Sequence, residues 1–278
     1  MSRVPMIPLP AGTYSVEMPQ LGYGVYKIPD EQASAAVRAA LDLGYRSIDT
    51  ASLYENEGGV GQALADTDVA RDDIFLTTKV WNDRQGYDQT LASFDESSRR
   101  LRQHTVDLFL IHWPCPQRGL FVDTWRALLR LRDEGRIRVA GVSNFGIAEL
   151  QRLIDETGEA PAINQIELHP YLTQEPLRAF HAQHGIATEA WGPLARGGRL
   201  LTDRVVERIA AAHGRTPAQV VLRWHMESGH VAIPKSVTPA RMAQNLDVFD
   251  FHLDGQEMAA LDGLDRGERT GPDPEKMR

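Results

Sequence analysis

Eight times along the chain, a short and almost wholly apolar run is followed by a longer amphipathic segment. The runs cover residues 21–27, 45–50, 74–80, 106–112, 137–144, 162–168, 187–193 and 230–236. Strands covered by helices on both faces read as near-continuous apolar runs rather than as alternating ones. Helical patterns fill the intervals at 30–43, 56–68, 87–103, 121–134, 146–156, 174–184, 203–228 and 238–247. Thr216-Pro217 makes an N-cap and first-turn pair, and Gly135 and Gly229 stand where helices should stop. Eight strand–helix units in 278 residues predict an α/β fold, the (β/α)8 TIM barrel. A doubly wound sheet would show a glycine-rich turn after its first strand. Here Gly22-Tyr23-Gly24-Val25 lies inside that strand and lacks the third glycine. Residues 6–19, turning at Gly12, predict an N-terminal β-hairpin that caps the barrel bottom. Residues 254–265 predict an extra C-terminal helix. No linker or low-complexity tract interrupts the pattern, so residues 1–278 read as a single domain.

Charge and cysteine usage narrow the function classes. Acidic residues number 38 against 30 basic ones, for a formal charge of −8. With no basic block, such a chain is a poor binder of nucleic acid or anionic membranes. No apolar run approaches the roughly 18 residues of a membrane span, and residues 1–5 carry no apolar signal segment. The single cysteine, Cys115, excludes an intrachain disulfide and a cysteine zinc cluster, so a reducing cytoplasm is expected. No helix pattern offers an apolar dimer seam, and a monomer is expected.

In a barrel of this kind the C-terminal strand ends carry the chemistry. Asp49, Lys79 and His112 end three consecutive strands, and neighbouring strands lie about 4.8 Å apart. Tyr54, five residues past Asp49, is within reach of the same mouth. Together the four read as a proton-donor set. A free tyrosine, with a pKa near about 10, matches neutral pH poorly. A nearby ammonium lowers that pKa. Asp49 would hold Lys79 in place, and His112 would orient a carbonyl oxygen.

The stretches carrying these residues resemble the aldo-keto reductases. They are Gln20-Leu21-Gly22-Tyr23-Gly24, Gly44-Tyr45-Arg46-Ser47-Ile48-Asp49-Thr50-Ala51, Tyr54-Glu55-Asn56-Glu57, Thr77-Thr78-Lys79-Val80-Trp81 and Leu110-Ile111-His112-Trp113-Pro114. Gly141-Val142-Ser143-Asn144-Phe145, Asn164-Gln165-Ile166-Glu167-Leu168-His169-Pro170 and Ile233-Pro234-Lys235-Ser236 continue the likeness. Trp191-Gly192-Pro193-Leu194, Val221-Leu222-Arg223-Trp224-His225 and Asn245-Leu246-Asp247-Val248-Phe249-Asp250-Phe251 look most like the bacterial 2,5-diketo-D-gluconate reductases. The likeness spans residues 20–265, and its strength lies in the order and spacing of the motifs.

The resemblance implies NADPH-dependent reduction of small polar aldehydes and ketones, without a metal. Ketoaldehydes, keto acids and 2,5-diketo-D-gluconate are candidate substrates. It implies Tyr54 as proton donor, tuned by Lys79 and Asp49, with His112 orienting the carbonyl. Ser143, Asn144 and Gln165 would bind the nicotinamide amide, with Trp191 stacked on its ring. Lys235, Ser236, Arg241 and Asn245 would cradle the adenosine 2′-phosphate, the loop from Leu194 to Leu200, with Arg196 and Arg199, would fold over the pyrophosphate, and Gly192, Val237 and Gln244 would add further cofactor contacts. Tyr26, Trp81, His112 and Trp113 would line the substrate pocket. The chain departs from the pattern at Ser52-Leu53, in the loop 115–119 and in the short polar tail after Gly267.

Other readings exist for single residues. Ser143-Asn144 also makes a helix cap, and Trp191 also makes core. A Cys115 nucleophile lacks an oriented base. His181 and His184 lack further ligands for a metal site. At the level of the whole chain, a cofactor-binding sensor or regulatory subunit on the same barrel is the alternative to a reductase. A barrel lyase or isomerase would not need the nicotinamide and phosphate sets.

Overall fold

The computed structural model describes residues 4–277. Strands β1 (Met6–Ala11) and β2 (Tyr14–Pro19) form an antiparallel hairpin turning at Gly12, whose φ of 72° suits glycine. Eight parallel strands follow in sequence order: β3 (Tyr23–Gly24), β4 (Ser47–Asp49), β5 (Phe75–Val80), β6 (Val106–Ile111), β7 (Ile137–Ser143), β8 (Ile163–Glu167), β9 (Ala187–Trp191) and β10 (Val231–Ala232). A parallel bridge between Leu21 and Ala232 closes the ring, backed by Gly22 N–H donating to Ala232 O at 2.9 Å.

Helices α1 (Asp30–Leu43), α2 (Glu57–Asp66), α3 (Tyr87–Leu101), α4 (Phe121–Asp133), α5 (Ile147–Thr157), α6 (Glu175–His184), α7 (Arg204–His213), α8 (Pro217–Glu227) and α9 (Pro239–Leu246) follow the strands, with α10 (Gly255–Asp262) after the last unit. The (β/α)8 barrel, its hairpin and its extra C-terminal helix are therefore as expected from the sequence.

One helical segment and two strands differ most from expectation. The helical pattern 203–228 is two helices, α7 and α8. Gly214 takes a left-handed φ of 62°, and Thr216 starts α8 with a reciprocal capping box to Gln219. The apolar period passes through the break, which is why the pattern alone did not divide it. The first and last barrel strands are two residues long instead of seven. The chain crosses itself closely there: a Cβ on Gly22 would lie 2.9 Å from Ser47 Oγ, and one on Gly24 would lie 3.2 Å from Ile233 O.

Two cores result. The larger one lies between the barrel and its helices. The smaller one fills the barrel, where Phe75, Leu108, Leu110, Val139, Ile163 and Val231 meet Leu9, Val16 and Met18 of the hairpin. The bottom is thereby plugged with apolar side chains, while the ionisable residues Asp49 and Lys79 lie toward the C-terminal strand ends.

Buried histidines on α6 and α8 carry a pH consequence. Burial depresses His181 to about 4, with the Arg178 charge adding to the effect. Burial depresses His225 to about 3 despite its 3.2 Å contact with the Pro193 carbonyl. An unfolded histidine titrates near about 6.5. Below that pH the unfolded chain takes up protons that the folded chain refuses, so this stability is present above pH 6.5 and is lost on acidification. At about 1.4 kcal/mol per pH unit and per group, moving from pH 6.5 to 5 costs roughly 4 kcal/mol for the pair. Urea unfolding at pH 7 and pH 5 should show that loss, with a smaller one in His181→Gln. A flat profile would contradict it.

Candidate active site

Strand register assembles the first four residues. Asp49 is level with Thr77, so Lys79, two residues on, projects from the same face into the barrel mouth. Its Nζ donates to Asp49 Oδ1 at 2.7 Å, Asp49 Oδ2 at 2.8 Å and the Thr50 carbonyl at 2.9 Å. Both side chains are fully buried. After β4 a short turn, Ser52–Tyr54, folds back over the mouth. Ser52 Oγ donates to the Lys79 carbonyl at 2.9 Å, tying the tyrosine loop to the lysine strand. This gives the sequence departure at Ser52 a structural role. The half-buried Tyr54 ring has its centroid 5.1 Å from Lys79 Nζ and meets the His112 ring edge-on at 5.7 Å. The structure thus brings all four residues together.

Their electrostatics amend the sequence expectation in one respect. Burial pushes the Tyr54 phenol up, and although Lys79 pulls it down, the net value is about 12. The ammonium therefore moderates the rise instead of lowering the pKa below that of free tyrosine. Burial opposes the Lys79 charge, but Asp49 more than offsets it and keeps the ammonium protonated. His112 is held well below its usual range by burial and then by Lys79, so its imidazole is neutral. A neutral imidazole carries one N–H donor.

Beside this cluster, Ser143, Asn144, Gln165 and Trp191 form a connected set. Ser143 Oγ donates to the main-chain carbonyl of Gln165 at 2.9 Å. Asn144 Nδ2 donates to Ser143 Oγ and to the His112 carbonyl, each at 2.9 Å. Trp191 Nε1 donates to Asn144 Oδ1 at 2.8 Å. Asn144 sits at a φ of 63°, which asparagine tolerates better than most residues. Gln165 Nε2 donates both to Asp49 Oδ2 and to Glu189 Oε2, at 2.9 Å each. Glu189 was missed by the sequence reading. The alternation that turns Trp191 inward also turns Glu189 inward, and that period was the available signal.

The third set follows β9 and β10 at the same barrel end. Gly192 turns with a φ of 60° into Leu194 and the loop behind it. Lys235, Val237, Arg241 and Gln244 are exposed, Ser236 is half-buried and Asn245 is buried. Among the described residues, neither Lys235 nor Arg241 forms an ion pair, although the chain is acidic overall. Ser236 Oγ accepts from Thr238 N–H at 3.1 Å, and Tyr23 OH donates to the Ser236 carbonyl at 2.6 Å, fixing the turn ahead of α9.

Aromatic rings wall the remaining side of the mouth. Tyr26 packs on Tyr54 at 5.0 Å, Trp81 meets His112 edge-on at 5.0 Å, and Trp113 lies parallel to His112 at 6.5 Å. The tail closes the opposite side. Thr270 donates from N–H and from Oγ1 to Glu167 Oε1, both at 2.6 Å, and Gly271 packs on Trp191 so closely that a Cβ would sit 2.3 Å from the ring. Burial raises the Glu167 carboxyl, but bonds from His169 and Thr270 outweigh it and hold the group below its usual value. The sequence reading named the tail as polar without finding this anchor, because an anchor 103 residues away leaves no local pattern.

The Aldo/keto reductase family profile matches residues 11–266. An aldo-keto reductase of Mycolicibacterium smegmatis is 56% identical over 257 residues, covering 92% of this chain and 93% of that one. The methylglyoxal reductase DkgA of Yersinia pestis is 51% identical, covering 99% and 98% of the two chains. The crystal structure of a Gox0644 variant in complex with NADPH superposes with a TM-score of 0.94 at 48% identity and covers all of both chains. On sequence, fold and the order of its motifs, the chain belongs to the aldo/keto reductase family.

Proposed function

We propose that this chain reduces small polar aldehydes and ketones with NADPH, and that α-ketoaldehydes such as methylglyoxal are among its substrates. The observation that carries this reading is the buried Asp49–Lys79 pair beneath Tyr54, with neutral His112 at its edge. The Yersinia relative's name supports the ketoaldehyde class. The aromatic mouth suits a small substrate that leaves only its carbonyl to be recognised by polar groups.

The residues present fit a phosphorylated dinucleotide. Lys235 and Arg241, two cations with no ion-pair partner among the described residues, stand near the N-terminus of α9 and are good ligands for a 2′-phosphate. Ser236, Val237, Gln244 and Asn245 complete that end, and Gly192 and Leu194 begin the loop beside it. The side-chain amides of Asn144 and Gln165 commit their N–H groups inside the protein, so their oxygens are what they offer the N–H of an amide ligand. Ser143 holds the Asn144 amide, and Trp191 offers a flat aromatic surface. Bound there, reduced nicotinamide supplies the hydride.

The remaining chemistry belongs to this chain. His112 donates a hydrogen bond to the substrate oxygen and directs it toward Tyr54. Trp81, Trp113 and Tyr26 exclude water around the carbonyl. As charge develops on the oxygen, Tyr54 OH gives up its proton. Lys79 stabilises the resulting tyrosinate, and Asp49 keeps Lys79 charged and fixed. A tyrosine at about 12 remains protonated at neutral pH, which suits the reducing direction. We further propose a cytoplasmic, monomeric enzyme formed by one barrel domain.

Cofactor choice tests the phosphate end. Arg241→Ala removes a charge-assisted contact worth about 1.5–3 kcal/mol, so the KM for NADPH should rise roughly 10- to 100-fold while that for NADH stays within about twofold. An equal rise for both cofactors would remove Arg241 from the phosphate site.

A further inference from the structure

Glu189 is a fully buried carboxyl that the mechanism above does not use. It lies on β9, level with Gln165 on β8 and with Val231 on β10. The charged groups acting on it are Asp49 from β4 and Lys79 from β5. Its Oε2 takes one N–H of Gln165, and Asp49 Oδ2 takes the other. Its Oε1 has no partner among the described residues. A primary amide has two N–H donors and one carbonyl acceptor. With both donors committed inside the barrel, Gln165 has only its oxygen left to offer.

We propose that Glu189 is a positioning residue: with Asp49 it clamps the Gln165 amide so that the carbonyl oxygen faces the cofactor and accepts from its carboxamide N–H. This rests on the NADPH reading above. An unclamped glutamine would present either end of its amide, because the two are nearly equal in shape. Two carboxyls also share one ammonium here, and Lys79 is taken by Asp49. Burial and then the Asp49 charge push Glu189 up to about 8. At neutral pH it therefore accepts as an uncharged acid, a role that a glutamine oxygen can fill.

Cofactor dissociation constants, read from tryptophan fluorescence, test the proposal at pH 7. Wild type is compared with Glu189→Leu, Glu189→Gln, Gln165→Leu and the double Glu189→Leu/Gln165→Leu variant. NADPH is compared with its reduced 3-acetylpyridine analogue, which lacks the amide N–H. Glu189→Leu should weaken NADPH about tenfold, the scale of one hydrogen bond. Glu189→Gln should restore wild-type affinity to within about twofold, and the double variant should bind no more weakly than Gln165→Leu. Wild type should bind the analogue about tenfold more weakly than NADPH, and Glu189→Leu should not discriminate between them.

Additive losses in the double variant, or loss of affinity in Glu189→Gln equal to that in Glu189→Leu, would overturn the proposal. If Glu189→Leu does not fold, equal affinity of wild type for NADPH and the analogue overturns it without that variant. Failure of folded wild type to bind NADPH at all would instead overturn the cofactor reading beneath it.

Discussion

Tyr54→Phe is expected to lower the rate of carbonyl reduction by about 10²- to 10⁴-fold, the usual contribution of a positioned general acid. The substitution removes one hydroxyl and leaves the ring, so the contacts with Tyr26 at 5.0 Å and His112 at 5.7 Å remain. NADPH affinity should stay within about twofold, because the lost interaction belongs to the transition state and not to the ground state. Single-turnover rates beside fluorescence titration of NADPH check both halves. A variant that turns over at a tenth of the wild-type rate or better would mean that another group delivers the proton. His112 is a poor candidate for it, since its imidazole is already neutral at working pH.

The second large effect concerns Lys79. Lys79→Met leaves the Asp49 carboxyl buried with only Gln165 and no cation, and breaking a buried pair on one side costs about 3–5 kcal/mol. Adding Asp49→Asn removes the stranded charge and should recover most of that stability. It should not recover activity. Tyr54 loses the one cation that lowers its pKa, so both variants should lose about 10²-fold or more in kcat. Urea unfolding and steady-state kinetics on the two variants separate the roles. If the double variant regained activity together with stability, the pair would be a structural ion pair alone.

The fold was readable because its signal is periodic. Eight apolar runs at regular intervals, each followed by an amphipathic segment, leave few architectures open, and Gly12, Gly135 and Thr216-Pro217 punctuate them locally. What periodicity cannot register was misread. The break between α7 and α8 keeps the apolar phase, and the two-residue strands β3 and β10 are shortened by a close crossing at Gly22 and Gly24 that only the closed ring creates.

The site divides in the same way. Asp49, Lys79 and His112 stand at strand ends, a position the sequence declares. The expected drop in the Tyr54 pKa was overtaken by burial, which depends on how the 52–54 turn packs. Glu189 was hidden in plain alternation with Trp191. The strap from Thr270 to Glu167 joins residues 103 apart and becomes visible only in three dimensions.

The most direct test of the central claim is isotopic. Purified protein is supplied with methylglyoxal and NADPH carrying deuterium at the transferring C4 position, and the product alcohol is analysed by mass spectrometry and NMR. The account predicts one deuterium on the carbinol carbon per NADPH oxidised, at a rate that collapses in Tyr54→Phe. Folded protein that binds NADPH yet transfers no deuterium to methylglyoxal or to any of a panel of small carbonyls would contradict it and favour a cofactor-binding role without turnover.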